Sequence, residues 1–192
     1  LNQNATIDGL DVKVTKVVQE YAELDPIKPP EKALDFVYAY TRDPVLAIYV
    51  TLHNNSSEGK SYEPGHNTDT AGINLFFEKS QQKRVKIGDN AKGKNQVQGK
   101  ISIKPNETVH DVYFFEPPSS NGKIEFDLSG HICGVRGVYR FDLNYTQSNP
   151  PKPDLEPWKK KDGAADAGNA DTDADEAEEA PEVAADSKAE PE

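Results

Sequence analysis

The chain has 192 residues, a net charge of −11, one cysteine and no methionine. That length suits one domain, or one domain with a tail, and the lone Cys133 excludes an internal disulfide, a cysteine-based zinc site and a CxxC redox motif. The charge is uneven, near −2 over residues 1–146 and about −9 over 147–192, so an almost neutral body with an acidic end lacks the clustered Lys and Arg that phosphate-backbone binding needs.

Residues 1–9 are polar and read as a frayed flank. Leu10 to Glu20 alternates at Val12 and Val14, then shifts phase at Val17-Val18, which predicts a strand with a bulge. Leu24 to Asp35 carries three prolines and reads as a crossing loop or edge segment, with one helical turn at Glu31 to Leu34. Phe36 to Thr41 reads as a short strand.

Val45 to Asn55 is the clearest strand, with Leu46, Ile48, Val50 and Leu52 on the inner face and Tyr49, Thr51 and His53 on the outer. Asn54 to Gly72 follows as a long polar loop, and a loop of that length in a compact domain is either functional or mobile. Ile73 to Lys79, Arg84 to Gly88 and Val97 to Ile103 read as further strands, with a solvated hairpin around the lysines and Arg84. Lys104-Pro105-Asn106 is a tight turn. Thr108 to Glu116 is a strand whose core face is placed on Val112 and Phe114. Gly122 to Ser129 alternates at Ile124, Phe126 and Leu128, and Val138 to Asn144 at Tyr139, Phe141 and Leu143.

Eight or nine short strands without a helical stripe predict an immunoglobulin-like antiparallel β-sandwich over residues 10–146. Gly137-Val138-Tyr139 has the form of a tyrosine corner, in which the phenol bonds to upstream backbone. Residues 147–161 read as a proline-rich linker ending in the aromatic-basic patch Trp158 to Lys161. Residues 162–192, almost all Ala, Asp, Glu and Gly, read as a disordered acidic tail.

Sites of known chemistry are scarce. The four histidines, His53, His66, His110 and His131, form no HxH, HxxxH or HExxH spacing. No nucleophile elbow, phosphate loop or dinucleotide fingerprint is present. Glu125 and Asp142 on facing strands could imitate a glycosidase pair, but a chain this rich in acids makes such pairs by chance. The Asp171, Asp173, Asp175 and Glu182 echo of a calcium loop lacks the sixth-position glycine. Cys133 reads as a buried inert thiol. The loop supplies the best site candidate: His53, Glu63, His66, Asn67 and Asp69 offer imidazole, carboxylate and amide groups to a cation or polar ligand. Tyr38, Tyr40, Tyr49 and Tyr62 could line a sugar-stacking face. These residues point to no cofactor and no catalytic constellation.

Two stretches carry a resemblance. LAIYVTLHNNSSEGKSYEP, Leu46 to Pro64, resembles the strand-and-turn of an immunoglobulin-like domain of unknown function found in bacterial lipoproteins and cell-surface proteins. ISIKPNETVHDVYFFEPP, Ile101 to Pro118, resembles its second half, with Asn106 and Asp111 standing where that pattern carries glycines. The final strand and the Ala/Asp/Glu tail resemble planctomycete-type envelope proteins. The resemblance implies a non-enzymatic extracytoplasmic module that interacts with another envelope or cell-surface component. The absence of a starting methionine leads us to expect that a signal peptide, membrane anchor or further domain has been removed, with membrane contact only through that part. A carbohydrate- or cation-binding accessory domain using Asn54 to Gly72 is the alternative.

Overall fold

The structure is a computed structural model, and it describes residues 3–26, 38–66, 72–87 and 91–155. The expected helical turn at Glu31 to Leu34, Phe36, the Trp158 patch and the acidic tail lie outside these residues. Twelve strands are present among those described: β1 (Asn4–Ile7), β2 (Leu10–Glu20), β3 (Leu24–Pro26), β4 (Val45–Asn54), β5 (Lys60–Tyr62), β6 (Ile73–Phe77), β7 (Ser80–Gln81), β8 (Ala91–Gly93), β9 (Ile101–Ile103), β10 (Thr108–Phe115), β11 (Gly122–Ser129) and β12 (Val138–Tyr145). A 3₁₀ turn, Gly130–Cys133, joins β11 to β12.

The strands form two four-stranded sheets, β1-β2-β4-β10 and β12-β11-β6-β7, and every pairing is antiparallel. Two short ribbons, β3-β8 and β5-β9, lie outside them. Without the β1 hairpin, the first sheet follows the A-B-E order of an immunoglobulin sandwich and the second follows G-F-C-C′. The protein is therefore an all-β antiparallel sandwich.

Its main core joins inward residues of both sheets: Leu10, Val12 and Val14 of β2, Leu46, Ile48, Val50 and Leu52 of β4, Tyr113 and Phe115 of β10, then Ile73, Leu75, Ile124, Phe126, Phe141 and Leu143 opposite. The period-2 alternation of β4, β6, β11 and β12 places these side chains inward as the sequence predicts. Phe126 and Phe141 stack at 6.1 Å. The bulge in β2 is present, with the register slipping between Val14 and Lys16.

Several expectations are corrected. Of the flank expected to fray, the described residues 4–9 are ordered: Asp8 and Gly9, both at positive φ (49° and 72°), close a two-residue hairpin that pairs β1 with β2. The main-core face of β10 is the one bearing Asp111, Tyr113 and Phe115. Val112 and Phe114 are also buried, but in a second cluster with Ala22, Val45 and Ala47. A strand buried on both faces loses its alternation, so periodicity could not assign the core side. Arg84 makes a single bridge to Phe115 instead of opening a strand, and Val97 to Lys100 is loop. Tyr40 bridges Glu23. Tyr139 is not a tyrosine corner of the usual kind. It lies on the last strand, and its phenol donates to Leu10 O at 3.2 Å and Ile7 O at 3.4 Å, pinning the β1-β2 turn to the second sheet.

Residues 147–155, expected as a linker, are tied to the sandwich. Ser148 N donates to Gln19 Oε1 at 3.1 Å, Gln147 N to Asn121 Oδ1 at 2.6 Å and Ala39 N to Leu155 O at 3.1 Å. Among the described residues no helix is long and apolar enough to cross a membrane.

Candidate functional site

Three connections meet at one end of the sandwich. The β4-to-β6 connection carries β5 and runs through Glu63 to His66. The segment before β9 supplies Val97 to Lys100. The β11-to-β12 connection supplies the 3₁₀ turn and Arg136. Between them lies an open cleft of about 780 Å³, lined among others by Glu63, His66, Gly99, Lys100, His131 and Arg136. That volume lies in the range of small-ligand sites.

Local sequence fixes these walls. Asn54, fully buried at the end of β4, donates from Nδ2 to Glu58 O (2.7 Å) and Ile103 O (2.9 Å), and its Oδ1 accepts from Ser56 N (3.0 Å) and Ser56 Oγ (2.7 Å). Its backbone bonds residues 106 and 107 across the neighbouring turn. The Asn-Asn-Ser run and the Pro-Asn-Glu turn of the two resembling stretches thus meet at one residue. β5 then pairs with β9, and Glu63 N bonds Ile132 O at 2.8 Å, which joins the 3₁₀ turn to the same wall. Gly65, Gly99 and Gly134, at φ 57°, 63° and 69°, turn one connection each at the cleft.

Behind the wall is a polar network inside the apolar core. Asp111, 1% exposed, faces inward from the middle of β10. It accepts from the Tyr62 hydroxyl, from His66 Nε2 (2.9 Å to each carboxylate oxygen), from Val97 N (3.0 Å) and from Val112 N (2.8 Å). Tyr113 Oη lies 2.6 Å from Tyr62 Oη. With Asp111 as a carboxylate, which only accepts, Tyr62 must donate to it and so accepts from Tyr113. Burial, first, and the nearby acid hold both phenols well above their ordinary pKa, so they remain neutral donors. His66 packs on Tyr113 with ring centroids 5.0 Å apart.

A buried carboxylate costs several kcal/mol unless donors and a counter-charge meet it. Here four donors meet it. Arg84, whose Nη2 donates to Gly65 O (3.2 Å) and His66 O (3.4 Å), sits close enough to act on Tyr113. One buried atom stays unpaired: His66 Nδ1 has no hydrogen-bond partner among the described residues. Cys133 lies beneath the network, its thiol pushed up to about 12 by burial and then by Asp111, which makes it an unreactive core side chain at neutral pH.

The expected site residues divide. Glu63 and His66 line the cleft, Glu63 exposed and His66 committed through Nε2 to Asp111. His53 is not among the cleft residues. It lies on the outer face of β4 with Nδ1 2.8 Å from Thr108 Oγ1, and His110 pairs likewise with Thr51 at 3.1 Å. Asn67 and Asp69 lie outside the described residues. The four tyrosines form no common face. Tyr62 is fully buried, and Tyr49 bonds Glu20 at 2.5 Å beneath Lys16. Tyr38 and Tyr40 line a separate cleft of about 730 Å³. Glu125 and Asp142 face each other on β11 and β12, where Arg140 pairs with Glu125 at 3.5 Å and with Asp127 at 2.8 Å. No group of three or more His, Cys, Asp or Glu placed to hold a metal occurs among the described residues.

Sequence reasoning passed over Asp111, Lys100 and Arg136. Asp111 had a signal: it is the one charged residue at an inward position of a core strand, and it replaces a glycine of the resembling pattern. Lys100 and Arg136 had none, because only the fold brings their loops together.

No family model matches the chain, and no curated protein matches it. Solved structures that are similar to this chain include three. One is a candidate lipoprotein, ycdA, from Bacillus subtilis (14% identity, TM-score 0.48), matched over 75% of this chain. This chain spans 39% of that protein's length. Another is the yjhA protein of the same organism (13%, TM-score 0.49, 73% of this chain and 96% of that one). A third is an uncharacterized β-sandwich protein from Clostridium difficile (13%, TM-score 0.39, 74% and 91%).

Proposed function

We propose that the protein is a non-enzymatic, extracytoplasmic interaction module that binds a ligand or envelope partner in the cleft at its loop end. The observation that carries this reading is the cleft itself: an open hollow with exposed charged side chains at its lip, mounted on a core network of four hydrogen bonds to one buried carboxylate. A rigid scaffold presenting loops is a common way to build a binding face, since the ordering cost is met during folding and not on association. The resemblance of Leu46 to Pro64 and Ile101 to Pro118 to domains of lipoproteins and cell-surface proteins supports the compartment. A catalytic reading has less support: His66 is held by Asp111, Cys133 is buried with its thiol pushed up by burial, and the exposed Glu63 and His131 of the cleft have no hydrogen-bonded side-chain nucleophile beside them among the described residues.

The test is site-specific photo-crosslinking in the native cell. A photoreactive residue at Gln98, in the cleft lining, should yield one dominant adduct in the envelope fraction, whereas the same residue at Thr51, on the outer face of β4, should yield none. Adducts from both positions alike, or a protein that stays shielded from external protease after the outer layers are opened, would refute it.

A further inference from the structure

Resting on that reading of the cleft, we infer that its ligand is the free carboxyl terminus of a peptide. Lys100 and Arg136 both line the cleft, and neither makes a hydrogen bond or ion pair with any described residue. Five surface cations elsewhere in the molecule are ion-paired, Lys16 with Glu20, Lys60 with Asp8, Lys83 with Glu116, Lys94 with Glu23 and Arg140 with Asp127, while others such as Lys13, Lys104 and Lys123 are unpaired among the described residues and line no common hollow with a second unpaired cation and a buried acceptor. Two uncommitted cations in one hollow, with exposed His131 beside them, form a receptor for an anionic group, and the guanidinium fork matches a carboxylate.

Two further features narrow the class. Asp111 accepts from His66 Nε2, so that nitrogen carries hydrogen, and with a single ring proton this leaves Nδ1 as an acceptor. This acceptor is buried, unpartnered and belongs to a residue of the cleft lining. It calls for a donor, which an amide N–H supplies and a fully deprotonated anion such as sulfate or chloride does not. Glu63 stands in the same lining and repels a chain of many negative charges, which favours a single one. A peptide terminus carries that combination: one carboxylate with an amide N–H beside it. The left-handed glycines Gly65, Gly99 and Gly134 leave the walls without side chains where a peptide backbone would lie. Terminal-carboxylate capture is a recurring mode of peptide recognition.

The experiment is calorimetric titration of the full chain with acetyl-trialanine as the free acid, with its terminal amide and with inorganic phosphate. The acid should bind, and both the amide and phosphate should bind at least about tenfold more weakly, the worth of one charge-assisted hydrogen bond. Arg136→Gln, at the exposed lip, should weaken the acid by about the same factor while leaving thermal unfolding unchanged. Equal binding of acid and amide, phosphate binding as tightly as the acid, an unaffected Arg136→Gln variant, or no heat from the acid at millimolar concentration would each overturn the inference. Crosslinks from Gln98 with any of those results remove the ligand class and leave the cleft reading standing. Absence of those crosslinks removes the reading itself.

Discussion

Asp111 is the residue whose removal should propagate furthest. Asp111→Ala strips the acceptor from the Tyr62 hydroxyl, His66 Nε2 and the amides of Val97 and Val112, and leaves those donors buried. Each orphaned donor costs about 1–3 kcal/mol, but the broken carboxylate also ceases to need desolvation, so the sum is not additive. Loss of one member of a buried charged network costs about 3–5 kcal/mol. For a chain of this size it lowers Tm by about 10–15 °C. Asp111→Asn should cost less, because the Tyr62 hydroxyl can reverse and His66 can move its proton to Nδ1, restoring most pairs. The assay is urea unfolding of Asp111→Ala, Tyr62→Phe and the double variant. A shared bond predicts a coupling energy of about 1–2 kcal/mol. Additive effects, or Asp111→Ala within about 0.5 kcal/mol of the parent, would refute the network.

Three other outcomes follow from the same structure. Asn54→Ala deletes both Nδ2 bonds and orphans the Ser56 amide, and should cost about 3 kcal/mol in the same assay. Cys133 has a native pKa of about 12 against an unfolded 9.0, so its contribution is whole below pH 9 and is lost as pH rises toward 12. The parent should lose about 1.4 kcal/mol per pH unit in that window from this group, and Cys133→Ala should show a shallower slope. Glu78 and Lys79, at φ 49° and 68°, close the β6-β7 hairpin with two residues that resist that conformation. Lys79→Gly should stabilise by about 1 kcal/mol, read as a raised urea midpoint with an unchanged slope.

The sandwich was legible wherever a strand alternates over most of its length. β4, β11 and β12 announce themselves through alternating Leu46/Ile48/Val50, Ile124/Phe126/Leu128 and Tyr139/Phe141/Leu143. β10 misled because Val112 and Phe114 are buried on its second face as well. The first hairpin carried a plain signal, Asp8-Gly9, hidden by the polar residues around it. The site was legible in part. Glu63 and His66 belong to a loop marked by its length, whereas Lys100 and Arg136 come from loops far apart in sequence and reach the cleft through strand pairing alone. The phenols of Tyr62 and Tyr113 look like packing aromatics until Asp111 is seen between the sheets.

Native-state hydrogen exchange at the Val97 amide tests the fixed floor of the cleft most directly. Val97 lies in a loop, outside every strand, and its amide is bonded to Asp111 Oδ1. It should exchange as slowly as the amides of β4, by global unfolding, and lose that protection in Asp111→Ala. Exchange as fast as that of its neighbours Gln98 and Gly99 in the parent protein would contradict a cleft held rigid by the buried carboxylate.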